Sequence, residues 1–209
     1  MRYKIGVVVG RFQVAELTEG HKMLIDYSIR RNNQTIILIG TKQYDATDEK
    51  NPLPYLIRKR MIENFLFNEQ DVSMVDNIYP IEDKNCFPLW CKELDMTISA
   101  ISNLIAQHEY YSYEAGGVEI TLYGGRDSYI NEYSLNYKNP YFKTEIVDFN
   151  INEVSGTKQR EEIKNINSDD KKNLYEDFYL GIDYKKGNEI INTVDFRKGI
   201  IYKVLNNIK

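Results

Sequence analysis

Continuous apolar runs alternate along this chain with stretches whose apolar residues recur every three or four positions, and that alternation predicts strands separated by helices. Residues 4–9 and 34–40 read as buried strands, since a run such as Gln34-Thr35-Ile36-Ile37-Leu38-Ile39-Gly40 has no polar face to offer water. Between them, from His21 to Arg31, Met23, Leu24, Tyr27 and Ile29 fall at mostly helical spacing. A second helix is predicted from Pro54, with Ile57, Met61, Ile62, Phe65 and Leu66 on one stripe. Its proline stands near the first turn, where a missing N–H costs nothing. A third strand is expected over 72–78, then a long helix marked by Leu94, Ile98, Ile101 and Ile105. A fourth strand over 118–123 runs into Gly124-Gly125, a fifth covers 143–149, and a turn at Val154-Ser155-Gly156-Thr157 leads to a helix from about Lys158.

Five strands separated by helices predict an α/β fold, a Rossmann-like, doubly wound, five-stranded parallel sheet with a helical C-terminal extension. Such sheets bind ligands at the carboxyl ends of their strands near a switch point. Every cluster with chemical potential here follows a predicted strand. After Asn165 the composition turns polar; Ser168-Asp169-Asp170 reads as the cap of a helix to about Leu180. Phe196, Ile200, Ile201, Val204 and Leu205 then mark a final amphipathic helix from Thr193 to Asn207. The expected organisation is one Rossmann-like domain over 1–165, with residues 166–209 packed on it.

At 209 residues the chain can build one substantial core. A net charge of -4 argues against a broad basic surface for duplex nucleic acid and leaves room for a local cationic pocket, so small anionic substrates fit better. No signal peptide or membrane-length apolar run is visible, and a reducing cytoplasm with no membrane partner is the default expectation. Cys86 and Cys91 have no histidine or cysteine partners at metal spacing and read as structural, as does His108. Seventeen tyrosines suggest amphipathic packing surfaces, among them surfaces between copies of a homo-oligomer.

The chemistry concentrates where strands end. Gly10-Arg11-Phe12-Gln13 closes the first strand and Thr18-Glu19-Gly20-His21 opens the next helix, where backbone N–H groups and the helix dipole favour phosphate. Arg11 can grip two phosphate oxygens with its fork, and His21 can donate to a third or simply cap its helix. Ser155 and Thr157 stand at another helix start with Arg160 about one turn in, a pattern that suits a phosphate clamp, a capping box or both. No Ser-His-Asp order, metal-ligand cluster or Walker loop is visible. Donors converging on phosphate suit direct in-line transfer, with Mg2+ carried mainly on a triphosphate.

The opening segment resembles the G-R-F-Q-P-F-H-x-G-H motif of the nucleotidylyltransferase superfamily, and its Gly10-Arg11-Phe12-Gln13 is most similar to nicotinamide-nucleotide adenylyltransferases of the archaeal and phage-encoded type. The proline is absent here, the loop is two residues longer, and Thr18 stands where the first histidine would fall. Val154-Ser155-Gly156-Thr157 with Arg160 resembles the superfamily's I-S-S-T-x-x-R signature in its S-G-T form. Asn51-Pro52-Leu53 with Arg58, Met61 and Ile62 is similar to N-P-F-x-x-x-x-R-x-x-M-I, and Asp83 followed by Leu89-Trp90 to P-x-x-D with L-W.

The resemblance implies an enzyme that transfers AMP from ATP to nicotinamide mononucleotide (NMN), yielding NAD and pyrophosphate. It implies catalytic roles for His21, Arg11 and Arg160, and ATP or phosphate contacts at Gly10, Phe12, Gln13, Thr18, Gly20, Gly124, Asp127, Ser155 and Thr157. NMN contacts fall to Asn51, Arg58, Asp83 and Trp90, the indole stacking on the pyridinium ring unless it is a core residue. Nicotinate mononucleotide, FMN or phosphopantetheine as acceptor, and a nucleotide sensor without turnover, stay open as alternatives.

Overall fold

The computed structural model describes residues 2–70, 77–109, 117–125, 128–149, 156–166 and 194–206. The chain forms two compact units, one from residues 1–10, 22–40 and 76–151, the other from 11–21, 41–75 and 152–209.

The first unit carries the sheet. Strands β1 (Tyr3–Gly10), β2 (Gln34–Thr41), β3 (Ile78–Glu82), β4 (Val118–Gly124) and β5 (Phe142–Ile146) lie in the order β3-β2-β1-β4-β5. β1 is central and runs parallel to β2 and β4, with Val7 opposite Ile36 and Leu122, and β4 runs parallel to β5. The strand order reverses between β1 and β4, whose carboxyl ends are Gly10 and Gly124. That reversal is the switch point of a doubly wound sheet.

Period-two alternation sorts the strand residues between two faces. Ile5, Val7, Ile36, Leu38 and Leu122 enter one cluster with Cys91, Leu94, Ile98 and Ile101 of helix α3 (Phe87–Glu109) and with Ile130 and Tyr133 of α4 (Ile130–Asn136). Each fully buried aliphatic there contributes roughly 1.5–3 kcal/mol. The opposite face meets α1 (Glu19–Arg31), which approaches so closely that a Cβ on Gly6 would stand 2.2 Å from the Ser28 hydroxyl. Ser28 in turn bonds the Thr35 hydroxyl at 2.9 Å, and Asn32 donates to the Tyr123 hydroxyl at 3.1 Å.

Helices therefore cover both faces, and the fold is the predicted α/β Rossmann-like sheet. Local boundaries moved. β3 begins at Ile78, where a strand was expected to end, and it tolerates Pro80 because it lies at the sheet's edge and need not donate from every residue. α3 begins at Phe87 with Pro88 in its first turn, before the stripe that predicted it. α4 was not anticipated, since seven residues hold too few turns to show a period.

The second unit holds α2 (Tyr55–Gln70), α5 (Gly156–Lys164) and α6 (Val194–Leu205), all three observed where helices were expected. Ala15 and Leu53 join Ile163 of α5 and Ile201, Tyr202 and Leu205 of α6 in its apolar cluster. The helix anticipated over 168–180 lies outside the described residues. Among the described residues no helix is long and apolar enough to cross a membrane.

Candidate active site

The loop leaving β1 is shaped by one strained residue. Phe12 has φ of +49°, a left-handed conformation that bulky side chains rarely adopt, and its ring is only 2% exposed. The turn leaves Arg11 exposed while Phe12 and Gln13 are buried. Gln13 bonds both ways with one backbone unit: its amide donates to the Leu53 carbonyl at 3.1 Å and its side-chain oxygen accepts from the Leu53 N–H at 2.8 Å. Arg58 is the largest of the fully buried side chains, 1% exposed. Its Nη1 donates to the Arg11 carbonyl at 2.8 Å, its Nε to that of Pro54 at 3.4 Å, and its Nη2 lies 3.6 Å from Asp45. Both side chains, expected on substrates, are directed at main-chain groups instead, Gln13 at Leu53 and Arg58 at the carbonyls of Arg11 and Pro54.

Thr18 and His21 close the loop as a reciprocal cap. Thr18 precedes α1, and its Oγ1 accepts from the His21 main-chain N–H at 3.3 Å. His21 reaches back with Nδ1, 3.3 Å from the Thr18 N–H and 2.9 Å from its hydroxyl. This is the capping-box arrangement with histidine at the position usual for glutamate. Because a main-chain N–H can only donate, Nδ1 is the acceptor and the neutral ring carries its proton on Nε2. The Phe12 ring packs against the imidazole with centroids 5.1 Å apart. Thr18, expected at a phosphate oxygen, is thus buried and directs its hydroxyl at the imidazole, while Gly20 sits within the first turn of α1.

α5 delivers the third cationic group. Arg160 donates from Nη1 to the Gln13 carbonyl at 2.7 Å and from Nη2 to the Thr157 hydroxyl at 3.2 Å. Burial, and then the neighbouring charge of Arg11, hold its pKa below the ordinary arginine value, yet a guanidinium stays charged at neutral pH. The charge of Arg11 thereby opposes that of Arg160, and Glu161 offsets it in part. Thr157 is exposed beside them; Ser155 lies outside the described residues.

Gly156 explains why the motif has glycine before that threonine. A Cβ there would stand 2.8 Å from Val14 Cγ1, and the Gln13 carbonyl is also within 4 Å. Gly156→Ala is therefore expected to destabilise the chain by about 1–3 kcal/mol, the usual cost of overpacking against a stiff side chain. A urea midpoint equal to that of the parent protein would contradict this contact.

The Asn51 segment is organised by a carboxylate. Asp48 accepts from Lys42 Nζ at 2.7 Å, and from the Asn51 N–H at 2.7 Å and its amide at 3.0 Å. Lys42 foremost, then the Asn51 N–H, hold the Asp48 carboxyl down at about 2. Its folded value is depressed, so its contribution is present above an unfolded pKa near ~3.9 and is lost as pH falls through about 2. With the side chain 39% exposed, screening limits that contribution to no more than about 1 kcal/mol. Asp48→Asn should lower the thermal midpoint slightly at pH 7, and the gap should close between pH 4 and pH 2.

The other candidates belong to the first unit. Gly10 and Gly124 end the two strands that flank the switch point. A Cβ on Gly124 would stand 2.2 Å from the Ser128 hydroxyl and 2.9 Å from Ile130, so packing against the start of α4 already requires glycine there. Asp83 follows β3, half-buried, and Asp127 lies outside the described residues. Trp90 is half-buried in the first turns of α3; Phe87 stacks on the indole at 5.6 Å and Tyr129 meets it edge-on at 5.0 Å. Burial pushes the Cys91 thiol up to about 11, which fits its reading as structural. His108's side chain is not among those described. Among the described residues no cluster of histidine, cysteine and carboxylates could hold a metal ion.

Sequence reasoning missed the inward roles of Arg58 and of Arg197, a buried residue of α6 that donates to the Ala15 carbonyl, and the pairing of Thr18 with His21. Only the last had a local signal, the Thr-x-x-His spacing at a helix start.

No family model matches the sequence, and no curated protein matches it either. Among solved structures, a bifunctional NMN adenylyltransferase/ADP ribose pyrophosphatase from Francisella tularensis superposes over 78% of this chain with a TM-score of 0.59 and 23% identity. The chain shares its fold. It spans 42% of that protein's length. A Plasmodium falciparum nicotinic acid mononucleotide adenylyltransferase complexed with NaAD aligns over 98% of both chains at 14% identity, with a TM-score of 0.44.

Proposed function

We propose that this protein is a nicotinamide mononucleotide adenylyltransferase of the nucleotidylyltransferase superfamily. The observation that carries the reading is the gathering of Arg11, Arg160 and His21 about one loop, with two guanidiniums close enough to feel each other's charge and an imidazole whose neutral form donates from Nε2. In the proposed reaction a phosphate oxygen of NMN attacks the α-phosphorus of ATP. The new O–P bond forms as the bond to the bridging oxygen breaks, and pyrophosphate leaves with that electron pair. Arg11 and Arg160 offset charge on the triphosphate, and Nε2–H of His21 donates to an oxygen of the phosphoryl group in flight. Thr157 adds a hydroxyl at the start of α5, and Mg2+ accompanies ATP on its phosphates.

The acceptor half rests on the sequence resemblance at Asn51, Arg58, Asp83 and Trp90. Of these, Trp90 and Asp83 are proposed to meet the acceptor's base, and Arg58 to hold the loop that bears Arg11. The test is incubation of the pure chain with ATP, Mg2+ and, in separate tubes, NMN, nicotinate mononucleotide, FMN and phosphopantetheine, following pyrophosphate and identifying the product by mass. NAD from the NMN tube is expected. Another adenylylated product would move the acceptor, and pyrophosphate from no tube would leave a nucleotide sensor in place of an enzyme.

A further inference from the structure

Three arginines from three helices reach alternate carbonyls of the same loop. Arg58 of α2 donates to the Arg11 carbonyl, Arg160 of α5 to that of Gln13, and Arg197 of α6 to that of Ala15. The partners are 47, 147 and 182 residues apart in sequence. Arg197 is buried, only 4% exposed, and burial lowers its pKa. A helix serving only to cover a core would place an aliphatic residue at such a position, because a buried charge is costly to desolvate and often adds no net stability. What a buried guanidinium adds is geometry: a fixed donor at a chosen acceptor. The apolar side of α6 holds the same segment, since Ala15 lies in one cluster with Ile201, Tyr202 and Leu205.

We infer that Arg197 is a positioning residue, through which the C-terminal helix α6 holds the loop bearing Arg11 and His21 in its anion-binding shape. The inference deepens the proposed adenylyl transfer and rests on it for its kinetic arm alone. A misplacement of about 1 Å in such a loop can slow chemistry about 100-fold without preventing substrate binding.

The experiment compares the full-length chain with Arg197→Met, Arg197→Lys and Ile98→Ala. Ile98 of α3 is fully buried in the cluster against the sheet, which contains no residue of the loop, so its truncation destabilises the chain by another route. Amide hydrogen exchange across residues 11–18 is the first readout. R197M is expected to speed it at least about 10-fold while Leu122 in β4 stays protected, a local opening and not global unfolding. The second readout is turnover: R197M should lower kcat by roughly 10- to 100-fold with KM for ATP within about threefold. R197K, which keeps the charge and a donor and serves if the methionine variant does not fold, should fall between R197M and the parent in both readouts. I98A should lower Tm with exchange at 11–18 and kcat both near the parent values.

Unchanged exchange at 11–18 in R197M, or an equal loss of turnover in I98A at matched loss of Tm, overturns the inference. Should the parent chain release no pyrophosphate from any mononucleotide, adenylyl transfer fails while the exchange readout still decides the role of Arg197.

Discussion

His21→Ala is expected to lower turnover by roughly two to three orders of magnitude while leaving ATP affinity within a few-fold, the scale of removing one transition-state donor. The structure makes the expectation specific to one nitrogen. Nδ1 is engaged by the Thr18 N–H and hydroxyl, so Nε2–H is the donor proposed to face a phosphoryl oxygen. Thr18→Val tests that division of labour. It removes the helix cap, at about 1 kcal/mol, and one of the two contacts that orient the ring, yet leaves Nε2–H in place. Its turnover should therefore lie between those of the parent protein and His21→Ala. Steady-state pyrophosphate release with ATP titration measures both variants, and near-normal turnover in His21→Ala would remove the imidazole from the mechanism.

Removal of Arg58 should have the largest effect on stability. Its guanidinium is 1% exposed and donates to two backbone carbonyls besides facing Asp45. Arg58→Ala deletes charge-assisted hydrogen bonds worth about 1.5–3 kcal/mol and leaves space where the side chain packed, for a total near ~3 kcal/mol. For a chain of this size that is a fall in Tm of about 6–12 °C. Arg58→Lys should recover little, because an ammonium cannot serve divergent acceptors with a planar fork. Arg60, two residues on and 56% exposed beside Glu63, provides the contrast: Arg60→Ala should cost within about 0.5 kcal/mol. A denaturant midpoint for Arg58→Ala equal to that of Arg60→Ala would show that the buried arginine does not hold the loop.

The sequence by itself determined the strands at 4–9, 34–40 and 118–123, the helices that follow the first two, the parallel sheet these imply, and the placing of His21, Arg11 and Arg160 beside strand and helix ends. Those features are local: a strand buried on both faces must be apolar throughout, a half-buried helix must repeat near 3.6, and phosphate donors gather where backbone N–H groups lack partners. α4 escaped because it is too short to have a period, and β3 was expected too early in the chain because an edge strand with a proline carries little alternation.

Tertiary structure alone decided which polar groups face inward. Arg58 and Arg60 differ by two positions on one helix, yet one is buried against carbonyls and the other lies on the surface. Arg197 meets Ala15 across 182 residues. A guanidinium carries no mark of the carbonyl that will accept it, because that choice depends on how separate elements pack and not on the neighbours of either residue in the chain.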